Sequence, residues 1–394
     1  TNDIMRTGIL LLRSCMSLSH RGSYTTAIHT RHLSLFHHGR PNARRQLPLS
    51  FVRTNPVVPA PLSSSSKASS FEAPEPPQSR GQAVFPDIPS GESSTEEGAA
   101  SANARNADPE AVFVVNGSSR GIGLQFVIDL LNRTEGTLIA CCRSPSAARE
   151  LNEIASGHPE NRIRIMPLDV EDQSSIDALA STIAQRHGRV DALFNVAGIL
   201  GDGGETTPGP ERSLANIERD WMTKSLAVNV VGPSMLAKAL CPLMRTTGRR
   251  SVKMNILSEV GGIEGEENNS NQQQIEVALP ADRPPTVIVN LSARVGSISD
   301  NQLGGWYSYR MSKAALNQAT RTMGLELRRQ GTWIVALHPG TTDTDLSKPF
   351  QRNVREGRLF PVEFTVDRLL AVVESMEDKH TGGFYDWAGK ALPF

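Results

Sequence analysis

The sequence predicts an α/β fold: a doubly wound, Rossmann-like parallel sheet with helices on both faces. Two observations predict it. Short apolar runs alternate with helical patterns from residue 111 onward. The first run leads directly into Asn116-Gly117-Ser118-Ser119-Arg120-Gly121-Ile122-Gly123 and then a helix, the strand, glycine turn, helix order of a dinucleotide-phosphate site. Alternation of this regularity implies right-handed crossovers, and ligands of such sheets bind at the carboxyl ends of the strands.

Residues 111–115, AVFVV, read as a strand buried on both faces. Gly117, Gly121 and Gly123 permit a tight turn and close backbone approach, and the helix that runs to about residue 131 offers free N–H groups, through Ser119, Arg120 and Ile122 as well, to a pyrophosphate. The second strand, 137–142, ends in Arg143. An acidic residue there would take a ribose 2′-hydroxyl and select NAD. None is present, and Arg143 with Arg120 suits a 2′-phosphate, which predicts NADP(H); the alternative is a solvated surface charge. A helix over 145–156 and a strand over 162–168 follow, ending in Asp169-Val170. Next come a helix over 173–187 and a strand over 191–194 that runs into Asn195-Val196-Ala197-Gly198. A long helical region, 214–245, contains Asn229.

Two stretches compete for the fifth strand, one within SVKMNILSEVGG that ends in Ser258 and TVIVNL from 286. The second is chosen because it leads to Ser292 and into the helix of Tyr309. The sequence before it, 258–285, is then an insertion on the face opposite the active site and dispensable for chemistry. A sixth strand, 332–337, ends in His338-Pro339-Gly340-Thr341-Thr342-Asp343-Thr344. A helix over 365–377 and a strand over 383–387 close the domain.

The chemistry centres on residues 292–313. Tyr309 and Lys313 are four apart, so they share one face of a helix, one turn from each other. A phenol ionises near pH ~10. A neighbouring ammonium favours the phenolate and is expected to lower that value, making Tyr309 a general acid or base at neutral pH. An ordinary amphipathic helix is the alternative when the pair is taken alone.

Formal net charge is zero, which gives no electrostatic case for nucleic acid, and no apolar run reaches the ~18 residues of a membrane span. The four cysteines have neither metal nor disulfide spacing, so no metal is predicted. Residues 1–70 hold nine Lys or Arg against one acid, Asp3. Residues 1–55 therefore read as an organelle transit peptide, with mitochondrion favoured over plastid, and 56–108 as a disordered linker rich in Pro, Ser, Gly and Glu. The folded domain is expected over 109–394.

Taken together, NGSSRGIG, NVAG, Asn229, Ser292, Tyr309 with Lys313, and PGTTDT occur in the order found in the short-chain dehydrogenase/reductases, and the region from 111 to 394 resembles that family. NLSARVGSISDN and GGWYSYRMSKAALNQ resemble its C-factor and sniffer-like carbonyl reductases. The resemblance implies that Tyr309 protonates a carbonyl oxygen and that Lys313 tunes it and holds the nicotinamide ribose. By the same resemblance Ser292 polarises the substrate oxygen, and Asn229 supports a water that connects Lys313 to solvent. Asp169, Val170, Asn195, Ala197 and Gly198 would contact the adenosine side, and Pro339, Gly340, Thr342 and Thr344 the nicotinamide. Asp169 as a helix N-cap and Asn229 as a satisfied core amide stay open. The pattern departs from the family where Asn116 replaces Thr, Val196 replaces Asn, and Ala293 follows Ser292 in place of a second Ser. The implied partner is a small-molecule carbonyl or alcohol, with homodimers or homotetramers built through 214–245 and 306–330. Its specificity would reside in the loops 199–210 and 348–360. A cofactor-binding regulator with incidental turnover is the competing function.

Overall fold

The computed structural model describes residues 84–89, 95–257 and 272–394. The expected transit peptide, residues 56–83 and residues 90–94 lie outside the described residues.

Part of the expected linker is ordered. Helix α1 (Glu96–Asn106) is capped by Thr95, whose hydroxyl oxygen accepts the Gly98 N–H at 3.2 Å. It is held by tertiary bonds: Thr95 donates to the Glu377 carboxylate at 2.9 Å, Asn106 to Glu374 at 3.2 Å, and buried Arg105 to the Pro285 carbonyl at 3.2 Å. Upstream, the Ile88 N–H donates to the Gly389 carbonyl at 2.8 Å, and Arg321 lies 4.9 Å from the Phe85 ring. The polar, Ala-rich composition of this stretch carries no core signal of its own; its order comes from partners 180 to 282 residues away. Ile88 is 1% exposed, so Ile88→Ala is expected to cost about 2–5 kcal/mol in urea unfolding of the full chain.

The remaining elements are β1 (Val112–Asn116), α2 (Gly121–Arg133), β2 (Thr137–Cys142), α3 (Arg149–Ser156), β3 (Ile163–Pro167), α4 (Gln173–Arg186) and β4 (Ala192–Asn195). Then come α5 (Arg219–Leu226), a π-helical turn (Ala227–Val231), α6 (Gly232–Leu240), β5 (Ser251–Leu257), β6 (Gln272–Ala278), β7 (Thr286–Leu291) and α7 (Tyr307–Leu327). The chain closes with β8 (Thr332–His338), β9 (Thr341–Thr342), β10 (Leu359–Phe360), α8 (Val362–Glu374) and β11 (Gly383–Asp386). Seven strands form one sheet in the order β11-β8-β7-β4-β1-β2-β3, and every pair is parallel. The order reverses between β1 and β4, which makes the carboxyl ends of those two strands the ligand crevice.

Alternate side chains feed two cores. Phe113, Leu138, Val335 and Leu370 pack on one face with Phe126 of α2; Val114, Ile139, Leu193 and Ile334 pack on the other with Leu236 of α6. The continuous stretch Arg219–Met244 is long and apolar enough for a membrane span by length and composition. Leu236, Ala237, Leu240 and Leu243 are nevertheless buried against the sheet, as in a core helix.

The chosen fifth strand is β7, in the middle of the sheet. The other candidate, β5, pairs antiparallel with β6 as a separate hairpin, so the insertion begins at Ser251 rather than 258. Met254, Ile256 and Val277 are buried in the α4 and α6 core, which anchors the hairpin. A buried ion cluster fixes its return at the amino edge of the sheet. Arg189 contacts Asp191 at 2.7 Å and Asp108 at 2.8 Å, while Arg283 reaches Asp191 at 3.3 Å and donates to the Leu243 and Arg245 carbonyls. That edge lies opposite the carboxyl ends of the strands.

Candidate active site

The glycine loop has the shape its spacing predicts. Gly117 has φ 88°, and a Cβ there would sit 2.6 Å from the Ala197 nitrogen. A Cβ on Gly123 would sit 2.0 Å from the Gly117 carbonyl oxygen. Neither position accepts a side chain, because the turn must pass beneath α2 and against the 195–198 segment. Ser118, which carries no motif signal, closes the turn by donating its buried hydroxyl to the Cys141 carbonyl at 2.9 Å. Gly121, Ile122 and Ser119 are half-buried at the start of α2, where first-turn N–H groups have no intrahelical acceptor. Across the crevice, a Cβ on Gly121 would meet the Thr344 methyl at 3.4 Å, so the loop after β8 faces the glycine loop.

Arg143 is exposed at the end of β2, and among the described residues it has no ion pair. Arg120 is exposed as well, but stands 3.8 Å from Asp345. Only Arg143 is thus free of a carboxylate competitor. At the ends of β1 and β4, Asn116 Nδ2 and Asn195 Oδ1 are buried without hydrogen-bond partners, leaving one donor and one acceptor at the crevice. Asn195 Nδ2 donates to Asn290 at 2.9 Å, and Asn290 to Thr320 at 2.8 Å, tying β4 and β7 to α7. The backbone N–H groups of Val196 and Ala197 donate to the Asn116 carbonyl. Asp169 accepts the Glu171 N–H at 3.0 Å in a local turn, and the N-cap of α4 is Asp172 instead. Val170 is buried. Pro339 and Gly340 form the turn after β8. The Thr342 hydroxyl is committed to Thr365 at 2.9 Å, whereas Thr344 faces the crevice. The open glycine cradle, the unpartnered Asn atoms and the exposed Arg143 fit a phosphorylated dinucleotide.

Tyr309, Lys313 and Asn317 recur every fourth residue on α7 and form one stripe along β7. Lys313 is 4% exposed, its Nζ donates to the Leu291 carbonyl at 2.8 Å, and it lies 5.6 Å from the centre of the Tyr309 ring. Burial lowers the Lys313 ammonium to about 8 and pushes the Tyr309 phenol above its ordinary value. The expected depression of the phenol is absent because desolvation of the half-buried ring outweighs a single ammonium that is itself desolvated. A phenol held this way stays protonated at neutral pH, the form a proton donor needs.

Ser292 is hydrogen-bonded to α7 at Asn317. Its hydroxyl is 2% exposed and donates to Asn317 Oδ1 at 2.6 Å, at a level of α7 that is two turns, about 12 Å of rise, below Tyr309. Asn317 was the missing signal: it continues the Tyr309–Lys313 spacing by four. Ser292→Ala is therefore expected to reduce turnover less than tenfold, against about 10²–10³ for loss of an oxyanion donor, while lowering stability by about 1–3 kcal/mol because Asn317 loses its donor. Steady-state kinetics and urea unfolding on the same preparation separate the two.

Asn229 sits on the π-helical turn and is fully buried. Pro233 has no N–H for the Asn229 carbonyl, which is where a helix can widen. The Asn229 side chain accepts the Ile199 N–H at 2.8 Å and donates to the Ile199 carbonyl at 2.9 Å and the Ser312 hydroxyl at 3.0 Å; Ser312 in turn donates to the Tyr309 carbonyl at 2.8 Å. Its amide is satisfied in the core, and through Ser312 it couples the 195–199 loop to the backbone of Tyr309. Trp306 and Phe350, to which the sequence assigned no role, form an aromatic wall: the Trp306 ring stands edge-on to Tyr309 at 6.2 Å and 5.2 Å from Phe350.

A family model for the short chain dehydrogenases matches residues 111–270 and 274–355. The chain is 28% identical over 207 residues to the C-signal of Myxococcus xanthus, covering 52% of this chain and 94% of that protein. Among solved structures it is similar to an NADPH-bound carbonyl reductase from chicken fatty liver, with 29% identity, a TM-score of 0.56, and 72% of this chain and 99% of that one covered. It is also similar to the carbonyl reductase Sniffer of D. melanogaster, with 26% identity, a TM-score of 0.56, and 73% and 100% coverage.

Proposed function

The chain belongs to the short-chain dehydrogenase family, and from that premise we propose that this oxidoreductase is an NADPH-dependent carbonyl reductase with Tyr309 as its general acid. The observation that carries the reading is the pairing of a protonated, half-buried Tyr309 with the buried Lys313 on α7, above the glycine cradle of β1 and α2. When bound, NADPH would supply the hydride that the carbonyl carbon takes up. Tyr309 donates its phenolic proton to the carbonyl oxygen, giving the alcohol, and the Lys313 ammonium stabilises the phenolate left behind. Asn229 and Ser312 hold the backbone of Tyr309. The first turn of α2 takes the pyrophosphate, and Arg143 pairs with the 2′-phosphate. The relative described as an NADPH-bound carbonyl reductase supports both the direction and the cofactor.

The test is calorimetric binding of NADPH and NADH, with turnover measured over a panel of aldehydes and ketones. NADPH is expected to bind more tightly. Arg143→Ala should weaken NADPH about 10- to 100-fold, the worth of a charge-assisted pair at about 1.5–3 kcal/mol, and leave NADH unchanged. Equal losses for both cofactors would remove Arg143 from the 2′-phosphate. Similarity to a protein named C-signal supports a second reading, a cofactor-binding signalling protein; tight NADPH binding with no turnover of any carbonyl would favour it. Action in an organelle, as the basic, acid-poor start of the chain suggests, is part of the proposal, and microscopy of the full chain fused to a fluorophore tests it.

A further inference from the structure

One buried carboxylate in the site has no part in the scheme above. Glu211 is 1% exposed and lies where the 199–210 loop ends. Among the described ion pairs none includes it. Its carboxylate accepts the Ser308 N–H at 3.0 Å and the Ser308 hydroxyl, and its backbone carbonyl accepts the Trp306 N–H. A buried carboxylate without a cation is unfavourable, and here the N–H and hydroxyl of Ser308, in the first turn of α7, supply the compensation. The turn it grips is unusual. Gly304, Gly305 and Trp306 have φ of 62°, 63° and 54° in succession. A left-handed conformation at Trp costs about 1–3 kcal/mol and persists only where neighbours enforce it. A second anchor, Arg310 Nε, donates to the Gly304 and Gly305 carbonyls at 3.2 and 3.0 Å. The outcome is the edge-on placement of Trp306 against Tyr309, one helical turn into α7.

We propose that Glu211 is a positioning residue that locks the left-handed 304–306 turn to the first turn of α7 and thereby sets Tyr309 for proton transfer. The inference rests on the reading of Tyr309 as the proton donor. It also gives the substrate loop a mechanical link to the acid. The 199–210 loop is organised by Asp202, which accepts the N–H groups of Gly204, Thr206 and Thr207, and it ends at the residue that holds α7. Movement of that loop as substrate enters therefore reaches Tyr309 through one carboxylate.

The test uses Glu211→Ala, Glu211→Gln and Ser308→Ala in the full chain, followed by hydrogen exchange, NADPH binding and steady-state kinetics. Glu211→Ala is expected to accelerate exchange at residues 306–311 while 314–327 stay protected. It should lower kcat about 10- to 100-fold, as a misplaced reacting group does, with NADPH affinity unchanged. Glu211→Gln, which keeps an acceptor for the Ser308 N–H, should recover most of kcat. Adding Ser308→Ala to Glu211→Ala should cost nothing further. Unchanged exchange at 306–311 overturns the proposal. So does a loss spread evenly over α7 with a parallel fall in NADPH binding, which would make Glu211 a general support. If Glu211→Ala does not fold, Glu211→Gln decides by the same readouts: faster exchange at 306–311 with kcat lost as fully as NADPH binding overturns the proposal. If the wild-type chain reduces no carbonyl, the reading of Tyr309 fails by itself, and the exchange data still decide whether Glu211 holds the turn.

Discussion

Tyr309→Phe should lower kcat for carbonyl reduction by about 10²–10⁴, the usual contribution of a positioned general acid, with NADPH affinity unchanged. The substitution removes one oxygen and leaves the ring, so its edge-on contact with Trp306 and its approach to Lys313 persist. The Asn229–Ser312 link reaches the backbone of residue 309, not its hydroxyl, and survives as well. Stability should rise slightly or stay level, because burying a hydroxyl that makes no described hydrogen bond is unfavourable. Stopped-flow measurement of a single turnover at saturating NADPH isolates the chemical step. A variant that turned over at the wild-type rate would remove Tyr309 from proton transfer.

The second large effect is Lys313→Met, for which activity and stability should move in opposite directions. At 5.6 Å from the Tyr309 ring, an ammonium is worth about 3 kcal/mol to a developing phenolate at an effective dielectric constant of about 20, so its loss should cost about 10² in rate. The folded chain, however, holds this ammonium at a disadvantage, since burial lowers it from the ordinary lysine value of 10.5 to about 8. The sign follows from proton counting. Between pH 8 and 10.5 the unfolded chain binds more protons at this site than the folded chain, so wild-type stability rises with pH across that window. The penalty is fully present below about pH 8 and gone above 10.5, and it amounts to at most about 3 kcal/mol. Lys313→Met should remove that rise; the unpaired Leu291 carbonyl offsets part of the gain. Urea unfolding at pH 7.5 and 10 for both proteins checks the sign. The rate of carbonyl reduction by the wild type should fall above about pH 8 as the ammonium is lost.

The site was legible where chemistry depends on local spacing. Tyr309 and Lys313 face one way because four residues make about one helical turn, and the glycine loop needs Gly117 and Gly123 because backbone passes within van der Waals contact of both. The partner of Ser292 depends on something that spacing does not carry. Strand and helix run side by side, and which hydroxyl meets which turn of α7 depends on their relative depth; here Ser292 meets Asn317. Glu211 had no motif at all, and Trp306 lay within the GGWYSYRMSKAALNQ stretch without a role of its own. Glu211 lies 97 positions from the serine it holds, and the left-handed state of Trp306 is enforced by that contact and by Arg310, not by the residue itself.

By itself the sequence determined the class of fold, the identity of the central strand β7, the glycine turn after β1 and the one-turn spacing of Tyr309 and Lys313. Each depends on periodicity, glycine placement or a contact one helical turn long, and all are printed within a few residues. Only the tertiary structure decided that residues 84–89 and α1 join the domain, that 251–257 and 272–278 form a hairpin outside the sheet, and that the Tyr309 phenol is raised and not lowered. Those outcomes turn on burial and on partners far along the chain. Desolvation at Tyr309 and the anchoring of Ile88 under Gly389 exist only once distant segments have closed around them.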